Sequence, residues 1–303
     1  MHLRITHETL YDYTPAVETA QHVAHLQPLD TAHQTLLQHR LDVSPAPAQM
    51  TQAEDLYGNR RAFFSLQTPH TQLRVVAISE VRTRAPQAVD SRIVWETLRE
   101  QFRFHTGAAW SAATEFSFPS ARAPRHDEFA AYARPSFGPG VSALAGARDL
   151  MQRIHTDFTY ETASTEVNTP PLEALAQRKG VCQDFAHIML GCLRSLGLAA
   201  RYVSGYLLTQ PAPGQPRLVG SDASHAWVSI FLPDLPGAQE GQGWYDLDPT
   251  NDRHGWGTPG EDYVTVATGR DYADVSPIRG VIHGGGKHTL AVAVTVEPVA
   301  EER

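Results

Sequence analysis

The chain opens on alternation. "LRITHETLYDY", "LLQHRLDVSP", "RRAFFSLQT" and "TQLRVVAISEVRT" are short alternating or apolar runs broken by Pro, Gly and Asn. They predict β structure from residue 1 to about 85. "LYGNRR" (Leu56 to Arg61) carries a Gly-Asn turn suited to joining two strands. A small antiparallel, sandwich-like domain is the expected product. Between residues 86 and about 140 the period is lost. "DSRIVWETLREQF" predicts a short helix opened by Asp90 or Ser91, and "FSFPSARAPRHDEFAAYARPSFGPG" reads as a linking segment with one short helix.

From Val141 the period becomes helical. "VSALAGARDLMQRIHTDFTY" is followed by "TPPLEALAQRKG", whose prolines at 170 and 171 suit a first helical turn. In "RKGVCQDFAHIMLGCLRSLGL" (178 to 198), Phe185, Ile188, Met189, Cys192, Leu193 and Leu196 form a wide apolar stripe. Gly197 ends that run where glycine favours a left-handed conformation. Asp184 in the first turn suits the positive end of the helix dipole. Strands follow at "ARYVSGYLL", "SHAWVSIFL", "GWYDLDPT" and "DYVTVATG", and "HTLAVAVTVEPV" (288 to 299) alternates strictly. The fold class is therefore α+β: a helix packed on an antiparallel sheet, preceded by the β-rich domain. The expected units are 1–85, a linking segment 86–140, and a core 141–303 that includes the C-terminal strand.

Composition narrows the function. The 303 residues are 42% hydrophobic and 19% charged, which suits two compact globular units. A net charge of -8 with scattered basic residues argues against nucleic acid as a partner. No stretch approaches the roughly 20 apolar residues that span a membrane. The alternating N-terminus lacks the apolar core of a cleaved signal, so a cytoplasmic location is expected. The two cysteines, Cys182 and Cys192, lie ten residues apart in one expected helix, or roughly 15 Å. That excludes a disulfide between them and fits a reducing compartment. No cofactor and no metal is expected. The histidines of "HGGGKH" (283 to 288), read as a flexible loop, lack a ligand spacing, and "GVCQD" is not a phosphate-cradling loop. Oligomeric state is not encoded in any of these patterns.

The chemistry gathers around Cys182. A thiolate is the nucleophilic form of cysteine, favoured by a helix N-terminus and by a neighbouring imidazolium. Cys182 has the first by position, whereas Cys192 lies mid-stripe and reads as inert core. His225 opens a strand in which Trp227, Ser229 and Phe231 share its face. With 233 to 242 as the connecting loop, antiparallel pairing sets position 227 opposite 248. His225 and Asp248 then share one end of the sheet, as a carboxylate orienting an imidazole requires. Asp246 has the same parity and is the rival; Pro249, fixing the backbone where the strand ends, favours Asp248. Taken singly, each residue also fits an ordinary role: core thiol, surface imidazole, turn former.

Three separated blocks, "RKGVCQDFAHIML", "SDASHAWVSIFLP" and "GWYDLDPTND", strongly resemble the core motifs of bacterial transglutaminase-like proteins. "GRDYADVSPIRG" (269 to 280) resembles the stretch that follows them, and the β-rich region with "DLYGN" (55 to 59) resembles the N-terminal region that accompanies this core. The resemblance covers nearly the whole chain. It implies a papain-like α+β core with Cys182 as nucleophile, His225 as general base and acid, and Asp248 as the orienting carboxylate. It implies acyl transfer through a thioester on a protein or peptide substrate. Hydrolysis of peptide or isopeptide bonds is the expected outcome, with amine transfer (a protein-glutamine transglutaminase) or a non-catalytic binding module as alternatives. The Cys182 backbone N–H and Tyr160 are the candidate oxyanion donors, and Trp227 and Trp244 the candidate cleft walls. No Asp-rich loop of calcium-binding type occurs, so the calcium dependence of animal transglutaminases does not carry over.

Overall fold

Residue alternation in the first strand sets the architecture of the whole N-terminal half. In the computed structural model, which describes residues 1–103, 106, 111–161, 169–209 and 224–300, β1 runs over His2–Ala24. It is followed by β2 (Gln34–Ser44), β3 (Gln49–Glu54), β4 (Arg60–Leu66) and β5 (His70–Thr83). The middle of the chain carries α1 (Trp95–Gln101), α2 (Asp127–Ala133), α3 (Ala143–Asp157), β6 (Thr159–Tyr160), α4 (Pro171–Gln177), β7 (Lys179–Gly180) and α5 (Cys182–Ser195). Then come β8 (Ala200–Leu207), β9 (Ser224–Phe231), β10 (Trp244–Asp248), β11 (Arg253–Trp256) and β12 (Tyr263–Gly269). A short α6 (Tyr272–Val275), β13 (Ile278–Gly284) and β14 (Lys287–Pro298) complete the order.

The N-terminal strands form one sheet in the order β2-β5-β1-β4-β3, and both β13 and β14 also pair with β1. The first half of β1 lies between β5 and β14, the second half between β4 and β13. The pairing changes around Pro15, which has no N–H to give to a ladder. Bending there lets the sheet curl over its own core of Tyr13, Val17, Phe64, Leu66, Leu73 and Val75. The sandwich-like packing expected from the sequence is thus made by one curled sheet.

The C-terminal strand is a correction to the expected units. Assigned by sequence to the core, β14 instead runs antiparallel to β1 from Leu3 opposite Pro298 to Thr14 opposite Lys287. Strict alternation marks a half-buried strand but says nothing about which sheet it joins. "HGGGKH" spans the break between β13 and β14, which run in the same direction along β1 on either side of Pro15. Gly284 and Gly285 there have φ 88° and 64°, a conformation that glycine tolerates. A smaller correction concerns α1, which begins at Trp95 and not at Asp90 or Ser91. The Asp234 carboxylate accepts from Ser91 Oγ at 2.8 Å and from the backbone N–H of Arg92 and Ile93, so residues 91–93 belong to that anchor.

The core sheet is antiparallel in the order β11-β10-β9-β8-β12. Helix α5 packs against β8 and β9 on one side and against α2, α3 and α4 on the other. Asp184 to Arg194 are consequently all buried, so the helix is enclosed rather than striped. Its polar residues are satisfied inside. Arg194 donates to the carbonyls of Phe116, Ala200 and Arg270, and His187 Nε2 accepts the Tyr272 N–H at 3.2 Å.

Candidate active site

Two short strands set up the helix head. β6 and β7 pair in parallel, bringing Tyr160 opposite Gly180, and Glu161 N–H bonds Gly180 O at 2.9 Å. Gly180 is needed for close approach, because a Cβ there would lie 2.7 Å from Asp184 Oδ2. The same carboxylate accepts the Val181 N–H at 2.9 Å and so caps the helix just before Cys182. As the first residue of α5, Cys182 has no helical acceptor for its own N–H. Cys182 is partly exposed, whereas Cys192 is fully buried and burial pushes its thiol far up.

The sheet supplies the partners. β9 and β10 pair with Asp246 opposite Ser229 and Leu247 opposite Val228, so one step on position 248 faces 227, the register derived from the loop length. His225 Nε2 meets Asp248 Oδ2 at 2.7 Å, with both side chains buried. That leaves Nδ1 as the ring nitrogen available to the thiol of Cys182, which is close enough to help raise the imidazole. Burial by itself would push the imidazolium down. The Asp248 charge and hydrogen bond, with the contribution of Cys182, outweigh it and hold His225 up to about 10. For Asp248, burial raises the carboxyl, but the His225 charge and three side-chain donors bring it below its ordinary value. The net result is an imidazolium–carboxylate pair at neutral pH.

Two members of this arrangement were not anticipated from sequence. Asn251 Nδ2 donates to Asp248 Oδ2 at 2.8 Å, and Tyr263 OH donates to the same oxygen at 2.7 Å. Asp248 Oδ1 takes the backbone N–H of Thr250 at 2.9 Å and of Asn251 at 3.3 Å. The signal for Asn251 was present, since an Asp followed by Pro-Thr-Asn can close a turn on its own carboxylate. Nothing in the sequence pattern marks Tyr263, which reaches Asp248 from the far side of the sheet order.

Other residues fall elsewhere. Asp246 accepts from Ser229 Oγ and faces Arg201, and burial pushes it up to about 6. The two proposed cleft walls are core residues. Trp227 is fully buried between His225 and Tyr263, its ring stacked 6.1 Å from the imidazole and edge-on to the Tyr263 ring at 5.4 Å. Trp244 sits at the opposite end of β10 from Asp248, packed on Phe116 and Phe231 under the Arg201 guanidinium. A large apolar ring at an alternating strand position fills the interior in preference to facing water. Tyr160 is half-exposed, its ring edge-on to Phe185 at 6.3 Å, three residues on from Cys182. Residues 221–223 of "SDASHAWVSIFLP" lie outside the described residues. Among the described residues no group of three or more His, Cys, Asp or Glu is disposed to hold a metal ion, and no helix is long and apolar enough to cross a membrane.

Comparison with known proteins identifies the family. Residues 3–82 match the bacterial transglutaminase-like N-terminal region, and residues 130–249 match the transglutaminase-like superfamily. An uncharacterized protein of Mycobacterium tuberculosis is 40% identical over 301 residues, covering 97% of this chain and 92% of that protein. One from Mycobacterium leprae is 33% identical, covering 98% and 99%. A protein-glutamine gamma-glutamyltransferase of Pseudomonas aeruginosa is 32% identical over 136 residues, which is 44% of this chain and 18% of that protein. Among solved structures, one from Cytophaga hutchinsonii, described as a candidate cysteine protease, superposes with a TM-score of 0.71 over 100% of this chain and 92% of its own, at 19% identity. Family motifs, full-length relatives and fold all agree: the chain belongs to the transglutaminase-like superfamily, among the bacterial proteins that carry the β-rich N-terminal region.

Proposed function

We propose that the protein is a thiol-dependent amidase that hydrolyses peptide or isopeptide bonds through Cys182, His225 and Asp248. One observation carries this reading: a single buried imidazole is bonded to Asp248 at 2.7 Å, and the partly exposed Cys182 at the head of α5 is its neighbour. In the first half-reaction Cys182 Sγ attacks the amide carbonyl carbon, and the carbonyl π electrons move onto oxygen. The C–N bond then breaks as the amine leaves with the His225 proton, giving a thioester. In the second, His225 takes a proton from water, the hydroxide adds to the thioester, and the thiolate leaves with release of the acid. Asp248 keeps the imidazole oriented and balances the imidazolium charge throughout. The Cys182 backbone N–H serves as one oxyanion donor and Tyr160, beside Phe185, as the second.

Hydrolysis is favoured over transfer because amine attack requires a partly dry acceptor channel. The two tryptophans that could have walled one are packed in the core. A cytoplasmic setting fits two cysteines that remain free thiols. The test is a peptide pool incubated with a labelled primary amine and read for both cleavage and incorporation. Cleavage should exceed incorporation, with a thioester adduct on Cys182 identified by mass. Incorporation exceeding cleavage at millimolar amine would make the protein a transglutaminase instead. Neither product nor adduct would leave only the binding-module reading.

A further inference from the structure

β12 is the edge strand of the core sheet, and an edge strand presents unpaired backbone groups. Here the N-terminal domain covers that edge with side-chain amides. Gln34 Nε2 donates to Thr265 O at 2.9 Å, while Gln34 Oε1 accepts the Thr265 N–H at 2.8 Å. Asn59 repeats the arrangement with Thr268, donating to its carbonyl at 2.8 Å and accepting its N–H at 2.7 Å. Each amide thus stands in for one residue of a missing neighbour strand. Asn59 is itself held by Asp55 across the "DLYGN" turn, at 2.9 Å, and is fully buried.

The same strand begins at Tyr263, whose hydroxyl donates to Asp248 Oδ2 at 2.7 Å. The ring is wedged against Trp227, and the Arg253 guanidinium lies 4.8 Å over its centroid. β12 is held on its inner side by the β8 ladder and on its outer edge by Gln34 at Thr265, two residues further along from Tyr263. We propose that Tyr263 is a positioning residue for Asp248, and that the N-terminal domain sets its position through the Gln34 and Asn59 amides on β12. The N-terminal sheet is then part of the active-site framework. This inference rests on the reading of Cys182, His225 and Asp248 given above, but its readout does not require knowledge of the substrate.

The experiment measures iodoacetamide alkylation of Cys182 near pH 6, where reaction depends on the imidazolium partner. Variants are Tyr263→Phe, Gln34→Met, Asp248→Asn and the pairwise combinations. Tyr263→Phe removes only the hydroxyl and should slow alkylation on the order of tenfold, as expected for a hydrogen bond to a buried charge. It should add nothing in the Asp248→Asn background, because the group it acts through is already neutralised. Gln34→Met should slow the reaction in wild type but not in Tyr263→Phe. Where Gln34→Met fails to fold by thermal melt, Gln34→Glu, which keeps an acceptor for the Thr265 N–H, takes its place. Equal rates for wild type and Tyr263→Phe, or costs that simply add to that of Asp248→Asn, would overturn the proposal. Fast, variant-sensitive alkylation without peptide turnover would overturn the amidase reading and leave this one standing.

Discussion

Asp246 and Asp248 project from the same face of β10, yet one is held by Ser229 and the other by His225. Their carboxyls move in opposite directions, Asp246 up to about 6 through burial and Asp248 down through the His225 charge overcoming burial. Asp248→Asn should therefore leave the fold intact and lower turnover by roughly three to four orders of magnitude, the loss that follows when an imidazole loses its orienting carboxylate. Asp246→Asn should spare turnover but lower the melting temperature, because Arg201 then loses its counter-charge. Steady-state rates and thermal melts of both variants decide the assignment, and a crippled Asp246→Asn with a mild Asp248→Asn would reverse it.

Selective alkylation separates the two thiols. Cys182 is partly exposed beside His225, and Cys192 is buried in an apolar core. Limited iodoacetamide treatment of the folded protein, followed by peptide mapping, should label Cys182 first. His225→Ala should slow that labelling near neutral pH by removing the partner charge.

Stability should be greatest near neutral pH. Burial depresses His7 and His22 to about 4 and His187 to about 3. Between pH 6.5 and those values the unfolded chain binds more protons than the folded one, so stability is lost as pH falls. His225 acts with the opposite sign. Its folded value is raised, so its contribution is complete below pH 6.5 and is lost as pH rises through about 10. Melting temperatures from pH 4 to 10 should trace a dome, and a curve still rising below pH 5 would contradict the assignment of neutral buried histidines.

Gly205 lies opposite His225 in the β8–β9 ladder, and a Cβ there would come within 2.1 Å of Val264 O and 2.6 Å of the Trp227 ring. Gly205→Ala should force β12 and Trp227 apart, lowering both the melting temperature and the alkylation rate of Cys182. Unchanged values for both would show that the sheet gives way elsewhere.

The parts of the site that lie in one element or in two consecutive strands could be read from the sequence. A periodic run ending at Gly197 locates the head of α5, and the length of one connecting loop fixes the register that brings His225 to Asp248. Asn251 and Tyr263 reach the same carboxylate by a turn and by a strand added at the opposite side of β8, and no local period reports such an approach. The polar residues inside α5 were opaque for a related reason. The acceptors of Arg194 lie at Phe116, Ala200 and Arg270, on segments whose nearness exists only after folding. The partner of β14 was hidden likewise, since alternation records burial and not identity.

The pairing of β1 with β14 has a consequence for the order of synthesis. Leu3 finds its partner in Pro298, so β1 cannot close its ladder until β14 has followed it from the ribosome. A nascent N-terminal domain must hold one side of β1 open throughout translation, while the core that will dock on Gln34 and Asn59 is still being made. The ladder of β1 is therefore completed long after the strand itself is made, and an isolated fragment ending near residue 85 should carry that open edge permanently and self-associate through it.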